Sequence, residues 1–320
     1  MRAKPKILVA RQIGGIGDVL AMSCVYRGLR EKFPMASIEL ITSPLYGSGA
    51  LYEIAQHNPF IDKIHHVDPY AGVPTRTRLV WGNFYKDCPR LEDQQIWKSA
   101  DLTFDLNTPC VDYEWDAMLS PEGIRKPRYQ IWCDFCDVVP STYFPVYEFK
   151  EGEREQARNL LDSMGLTRPI IIAVNANDDR RAVPKNKLAS IITLLQAKGH
   201  EVVTMDGTFK FDGIPGIVGQ RLSSVMALMS WGSVCISGDS GLLHVAGTVG
   251  TPIVGIFGPT DPDMRMGVYR GSAIDGRRFA PCSPCWYQYP CLKNPNPDHQ
   301  VFCLKRIPPE IIAAEVEKWL

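Results

Sequence analysis

Residues 236–262 read ISGDSGLLHVAGTVGTPIVGIFGPTDP, and this stretch decides the fold. Cys235, Ile236 and Ser237 form a short apolar strand. Asp239-Ser240-Gly241 is a polar turn able to cap a helix. Leu242, Leu243, Val245, Ala246 and Val249 suit a helix buried on most sides. Residues 252–257 are a second buried strand, closed by Gly258-Pro259. Such a turn presents backbone N–H groups at a helix N-terminus, which attract an anion such as a phosphate. The segment therefore predicts a phosphorylated ligand.

Outward from it, the same pattern recurs. Lys6–Ala10 reads as a buried strand, 12–18 as a glycine-rich turn, and 19–33 as a helix. Met22, Val25, Tyr26, Leu29 and Phe33 share one face of that helix, and Pro34 ends it. Further strands are expected at Ser37–Thr42, 63–67 and 102–106, with helices at 51–56 and 129–137. Residues 69–100 read as irregular or weakly helical. Alternating strands and helices imply a parallel sheet. Composition changes near 140–150, and the pattern then restarts. It gives helices at 151–164, 185–198, 222–230 and 308–320, and strands at 169–174 and 201–205. Two doubly wound α/β halves result: residues 1–145, and 146–305 with a Cys-rich loop at 276–305. A terminal helix follows at 306–320. The default ligand site of such a pair is the cleft between them.

Bulk properties exclude several functions. Hydrophobic residues make up 45% of the 320-residue chain, ample for packed cores. Lys+Arg and Asp+Glu each total 35, and zero net charge argues against broad electrostatic binding of nucleic acid. No apolar run approaches the ~20 residues of a transmembrane segment. The N-terminal apolar stretch is too short for a signal-peptide core, which predicts a cytoplasmic protein. Ten cysteines in that compartment suggest metal ligation or buried thiols more than disulfides.

Five motifs carry candidate chemistry. Gly14, Gly15 and Gly17 shape the first turn, but Leu20 stands where a dinucleotide fingerprint needs Gly or Ala. Asp18 would also set a carboxylate against a pyrophosphate. Asp18 is either a helix cap or a catalytic base, kept ionised by the helix N-terminus. In the opening segment, Asp239 caps the helix or bonds ligand hydroxyls. Ser240 and Gly241 can offer N–H groups to phosphate, and His244 follows one turn later, as a ligand group or a satisfied core histidine. Residues 175–184, NANDDRRAVP, follow a buried strand. There Arg180 and Arg181 can neutralise a diphosphate leaving group, or pair with Asp178 and Asp179 in a solvated loop. Cys282, Cys285, Cys291 and Cys303 have the spacing C-x2-C-x5-C-x11-C in a segment without evident secondary structure. Four thiolates there suit a structural zinc or iron ion. A closed site of that kind leaves no position for substrate, so the ion is expected to be remote from the chemistry. Cys133-x2-Cys136 reads as structural. Asp261-Pro262-Asp263 matches a D-x-D pattern, but its carboxylates need not converge on a divalent metal.

GGIGDVL at 14–20, paired with GDSGLLHVAG at 238–247 and TPIVGIFGPTDP at 251–262, resembles the heptosyltransferase family, glycosyltransferase family 9. The resemblance implies a GT-B architecture, in which two Rossmann-like domains face a central cleft. The first would bind the acceptor and the second the nucleotide-sugar. It implies transfer with inversion of a sugar from a nucleotide-diphospho-sugar, ADP-heptose favoured, to a glycan or protein hydroxyl, with no catalytic metal. Lipopolysaccharide is one such acceptor. Asp18 matches the family's proposed base, and Asp239, Ser240, Gly241 and His244 match the donor motif. The chain departs from the family at Arg180-Arg181-Ala182-Val183-Pro184, where members often carry Lys before Trp-Pro. The four-cysteine segment is similar to the iron-binding finger of the branch that glycosylates autotransporters. Two other functions stay open: a nucleotide-sugar epimerase of the same fold, and a non-catalytic protein binding a sugar-nucleotide or metal.

Overall fold

The computed structural model describes residues 4–12, 14–42, 49–66, 95–120, 122–174, 179–205, 211–286, 291 and 301–320. The chain divides into two compact units, 1–116 with 129–148, and 117–128 with 149–320.

In the first unit the elements run β1 (Lys6–Ala10), α1 (Ile16–Lys32), β2 (Ser37–Thr42), α2 (Ala50–Gln56), β3 (Lys63–His66), α3 (Gln95–Lys98), β4 (Leu102–Asp105), α4 (Pro109–Leu119) and α5 (Arg128–Phe135). The strands lie in the order β3-β2-β1-β4, all parallel, with Ile7 opposite both Ile38 and Leu102. Ile7, Leu8 and Val9 are all buried, as befits a central parallel strand covered on both faces. The helix α1 begins at Ile16 rather than residue 19, so Asp18 is its third residue and not a residue before it. Sequence periodicity missed α4, because it shows no clean apolar stripe: its Trp115 is 63% exposed and Cys110 is buried. Most of the expected irregular region, residues 69–94 of 69–100, lies outside the described residues, as does Val67 of the expected third strand.

The second unit continues with α6 (Glu153–Ser163), β5 (Ile170–Ala173), α7 (Lys185–Gln196), β6 (Val202–Thr204), α8 (Leu222–Met229), β7 (Val234–Gly238), α9 (Gly241–Thr248), β8 (Ile253–Phe257), α10 (Asp263–Met266), β9 (Gly271–Asp275), α11 (Phe302–Arg306) and α12 (Pro309–Glu317). Its sheet has the order β6-β5-β7-β8-β9, again all parallel. Ile170, Ile172, Ile236, Val254 and Ile256 pack in one core with Leu188 and Ile191 of α7 and with Ile312 and Val316 of α12. The edge strand β9 and the short helices α10 and α11 went unread in the sequence. Each is four or five residues long, too short for periodicity to register. The helix α11 carries Cys303, so part of the Cys-rich segment has regular structure after all.

Strand order fixes where ligands can bind. Each sheet has one place where chain order reverses: between β1 and β4 in the first, and between β5 and β7 in the second. Loops leaving the carboxyl ends of strands at such a switch point line the binding crevice of open α/β sheets. Arg11 and Asp18 follow β1, and Asn107 follows β4. Arg181 follows β5, and Asp239 follows β7.

The burial pattern predicts unequal responses to truncation. Ile236→Ala, at a fully buried site, should lower unfolding free energy by about 2–5 kcal/mol. Val139→Ala, at a residue 83% exposed, should stay within about 0.5 kcal/mol of wild type. Urea denaturation of the two variants checks the contrast.

Candidate functional site

In the first unit, a buried arginine organises the turn after β1. Arg11 Nη1 donates to the carbonyls of Leu106, at 2.6 Å, and Asn107, at 3.0 Å. Its guanidinium carbon lies 5.2 Å from the centre of the Trp132 ring. Arg11 Nη2 sits 3.4 Å from Asp18 Oδ2, and the Gly15 N–H donates to the same oxygen at 3.3 Å. The Asp18 side chain keeps 19% of its exposure. Gln12 N–H donates to Asn107 Oδ1 at 2.9 Å, and Asn107 donates in turn to Asp105 Oδ1. The carboxyl ends of β1 and β4 are thereby tied together under Asp18. Gly14 has φ +119, and a Cβ there would lie 2.2 Å from Arg11 Nη2, so any other residue would displace the guanidinium. Gly15 is the N-cap, with open space where a side chain would project, and Gly17 is buried in the first turn. A cation and a helix N-terminus thus hold one carboxylate. That suits a group taking a hydrogen bond, and then a proton, from a neutral hydroxyl.

In the second unit the corresponding group is Asp239, whose side chain is only 7% exposed. Ser240 is the N-cap of α9, and no side-chain cap bond forms there. Thr260 Oγ1, beyond β8, donates to Asp239 Oδ2 at 2.9 Å. Arg181 Nη1 lies 3.9 Å from Asp239 Oδ1, and Arg265 Nε lies 3.8 Å from Oδ2. Burying a carboxylate is costly unless it is paired, and here two guanidinium groups and a hydroxyl share that task. Arg181 comes from a single 3₁₀ turn, Asp179–Arg181, which also holds the half-buried Arg180. Asp178 and the Asp179 side chain lie outside the described residues. Gly238 lets the strands close on this turn, since a Cβ there would come within 3.1 Å of the Arg181 carbonyl. Ser240 Oγ is 3.4 Å from Ser237 Oγ, and Gly241 opens the first turn of α9. His244 is half-buried, and its Nδ1 shares a hydrogen bond of 2.9 Å with the Tyr269 hydroxyl. Asp261 accepts from the Asp263 N–H and lies 3.3 Å from Arg277, so the D-x-D pair serves a turn and an ion pair.

Two sets of cysteines stand out among the described residues. Cys24 of α1 and Cys133 of α5 are buried, with sulfurs 3.7 Å apart. The hydrogen bond from Cys24 and burial together push the Cys133 thiol well up, and burial does the same to Cys136. Such thiols are inert packing groups at neutral pH. In the second set, burial pushes Cys303 up to about 12, the Leu304 backbone N–H opposes this, and charges on Cys285, Cys282 and Cys291 add to it. Yet among the described residues no group of three or more His, Cys, Asp or Glu side chains is placed to hold a metal ion. The donor chemistry suits zinc or iron, but the sulfurs are not gathered into a ligand set. Nor is the segment remote from Asp239, as expected from sequence. The Trp286 N–H donates to the Pro259 carbonyl at 2.8 Å, directly beside Thr260.

Sequence reading had missed Arg11, Asn107, Thr260, Arg265 and Tyr269. For Arg11 and Thr260 a signal existed: each is a polar residue just past a buried strand, at the edge where ligands bind. Arg265 and Tyr269 reach Asp239 and His244 only through tertiary packing.

Two parallel α/β sheets, each with a polar cluster at its switch point, give the chain the GT-B fold of the solved structures it resembles. Residues 217–293 match the model of glycosyltransferase family 9 (heptosyltransferase). Lipopolysaccharide heptosyltransferase 2 of Escherichia coli K12 is 22% identical over 305 residues, covering 78% of this chain and 81% of that protein. Lipopolysaccharide heptosyltransferase 1 of Pseudomonas aeruginosa is 26% identical over 107 residues, a match spanning 31% of this chain and 30% of the relative. Among solved structures, a family 9 glycosyltransferase of Veillonella parvula superposes with a TM-score of 0.70 at 17% identity, covering 100% and 98% of the two chains. The iron-containing dodecameric glycosyltransferase TibC of enterotoxigenic E. coli superposes with a TM-score of 0.66 at 15% identity, covering 100% of this chain and 77% of TibC. The chain is similar to the heptosyltransferases of family 9, and these matches support a glycosyltransferase. No helix among the described residues is long and apolar enough to cross a membrane.

Because the Asp239 carboxylate is buried, its hydroxyl donor should matter. Thr260→Val, nearly isosteric, should cost about 1–3 kcal/mol of stability by leaving that carboxylate short of a hydrogen bond. Thr260→Ser should recover most of it. Denaturant midpoints at constant m-value give the comparison.

Proposed function

We propose that the chain is an inverting glycosyltransferase that moves a sugar from a nucleotide-diphospho-sugar to a hydroxyl acceptor. ADP-heptose is the favoured donor, and lipopolysaccharide or a protein the favoured acceptor. The observation that carries this reading is the buried Asp239 carboxylate, flanked by Arg181 and Arg265 at the N-terminus of α9. Two guanidinium groups beside one helix N-terminus supply charged donors of the kind that bind a diphosphate. Backbone N–H groups of Ser240 and Gly241 add donors of the kind that bind phosphate. The names of the relatives supply the sugar and the acceptor class.

In the proposed reaction Asp18 takes the proton of the acceptor hydroxyl. The acceptor oxygen then bonds to the anomeric carbon from the face opposite the leaving group. The bond from that carbon to the diphosphate oxygen breaks, and its electron pair leaves with the nucleotide diphosphate. Arg180, Arg181 and the α9 N-terminus stabilise the charge that develops there. Attack from the opposite face inverts the configuration. The first unit would take the acceptor and the second the donor. His244 is a donor-side group oriented by Tyr269. Weak basicity in Asp18 is no obstacle, because the hydroxyl acidifies as its oxygen bonds to carbon.

Asp18→Asn should cut turnover roughly 10²–10⁴-fold while leaving donor affinity nearly unchanged, as measured by transfer assays and donor titration. Wild-type turnover in that variant would contradict the base assignment. Release of free nucleotide without any acceptor would favour the epimerase reaction instead.

A structural metal at Cys282, Cys285, Cys291 and Cys303 is a further part of the proposal. It is supported by their spacing and by the iron content of TibC, while the described sulfurs are not gathered into a ligand set. Protein purified without added metal should carry close to one equivalent of iron or zinc by elemental analysis. Iron would add a sulfur-to-metal charge-transfer colour. Less than about a tenth of an equivalent, with all four thiols titrating freely in the folded protein, would contradict a closed four-thiolate site.

A further inference from the structure

The Cys-rich segment touches the Asp239 cluster through specific contacts. Ser283 Oγ donates to the Gly258 carbonyl at 2.5 Å, and the Trp286 N–H donates to the Pro259 carbonyl at 2.8 Å. Cys303 and Leu304 pack against Gly258 from the other side. Together these contacts fix the turn that carries Thr260. Trp286 itself has φ +48, a left-handed conformation that bulky residues seldom adopt. A residue held there depends on surroundings that over-determine it. The Arg265 guanidinium lies 5.4 Å from the centre of the Trp286 ring. On its other side, Arg265 Nε is 3.8 Å from Asp239 Oδ2, and the Arg265 side chain is 10% exposed. Arg265 therefore sits between an indole face and a buried carboxylate.

We propose that Trp286 and Arg265 are positioning residues of the donor site, the indole holding the Arg265 guanidinium against Asp239. This inference rests on the nucleotide-diphosphate reading of the Asp239 cluster. A guanidinium stacked on an aromatic face has lost most of its rotamers before any ligand arrives. Binding a diphosphate then costs less ordering than it would with a mobile arginine. Trp286 does not need to touch the donor for this. It acts through Arg265, and so gives the Cys-rich segment a role in donor affinity.

The test uses the full-length protein and ADP as the probe, titrated calorimetrically, with melting temperatures recorded beside it. Trp286→Ala should weaken ADP binding roughly 3- to 30-fold, the range of one partly desolvated cation–π contact. Trp286→Phe, which keeps a ring face, should restore most of the affinity. Arg265→Met should weaken binding by itself, and adding Trp286→Ala to it should cost little more, because the two act as one unit. Wild-type affinity in Trp286→Ala, even with a lowered melting temperature, would overturn the inference. So would fully additive losses in the double variant, or a Trp286→Phe variant as weak as Trp286→Ala. Failure of the wild-type protein to bind ADP would overturn the nucleotide reading beneath it as well, which separates the two failures.

Discussion

A buried carboxylate governs the second unit. Asp239, at 7% side-chain exposure, cannot remain ionised inside the fold without partners, and its partners come from two different connections, the one after β5 and the one between β8 and β9. Arg181 follows β5, Thr260 follows β8, and Arg265 begins from α10. Satisfying one side chain therefore fixes the relative positions of the loops at the carboxyl edge of the sheet. Gly238 and the packing of Cys303 against Gly258 allow the close approach that this needs. The same contacts present two guanidinium groups beside a helix N-terminus, so the constraint that holds the loops also shapes the proposed anion site.

The first unit solves a similar problem with a different charge balance. Arg11 is the buried ion there, held by the Leu106 and Asn107 carbonyls and by the Trp132 face, and Asp18 is its partly exposed partner. In these contacts one carboxylate meets one guanidinium, whereas Asp239 meets two. The proposed division of labour, acceptor in the first unit and donor in the second, draws on that difference. Both clusters lie where strand order reverses, which is where open parallel sheets leave room between loops.

Much of this was legible in the sequence because buried parallel strands are short apolar runs with abrupt polar ends. β1 and β2 were readable to the residue for that reason, and α12 through Ile312, Val316 and Leu320, spaced to share one face. Asp18 and Asp239 stood out as acids at strand–helix turns. Their partners were hidden. Arg265 lies in a stretch with no periodicity, and only the folded chain brings it to Asp239. The capping role open to Asp239 in sequence gives way to Ser240 as N-cap, since the carboxylate turns towards Thr260. The helix α4 escaped because its burial is partial and irregular. The Cys-rich segment showed its thiol spacing but not its contact with Pro259, which a backbone N–H makes and no side-chain pattern records.

The central claim is that the buried Asp239 carboxylate serves donor binding as well as the fold. Calorimetric titration of ADP-heptose into wild-type protein and Asp239→Ala tests it most directly. The account predicts that affinity falls by tenfold or more, about 1.4 kcal/mol or above, alongside a lower melting temperature. An unchanged affinity with only the melting temperature lowered would contradict it, leaving Asp239 as a residue that holds loops together and nothing more.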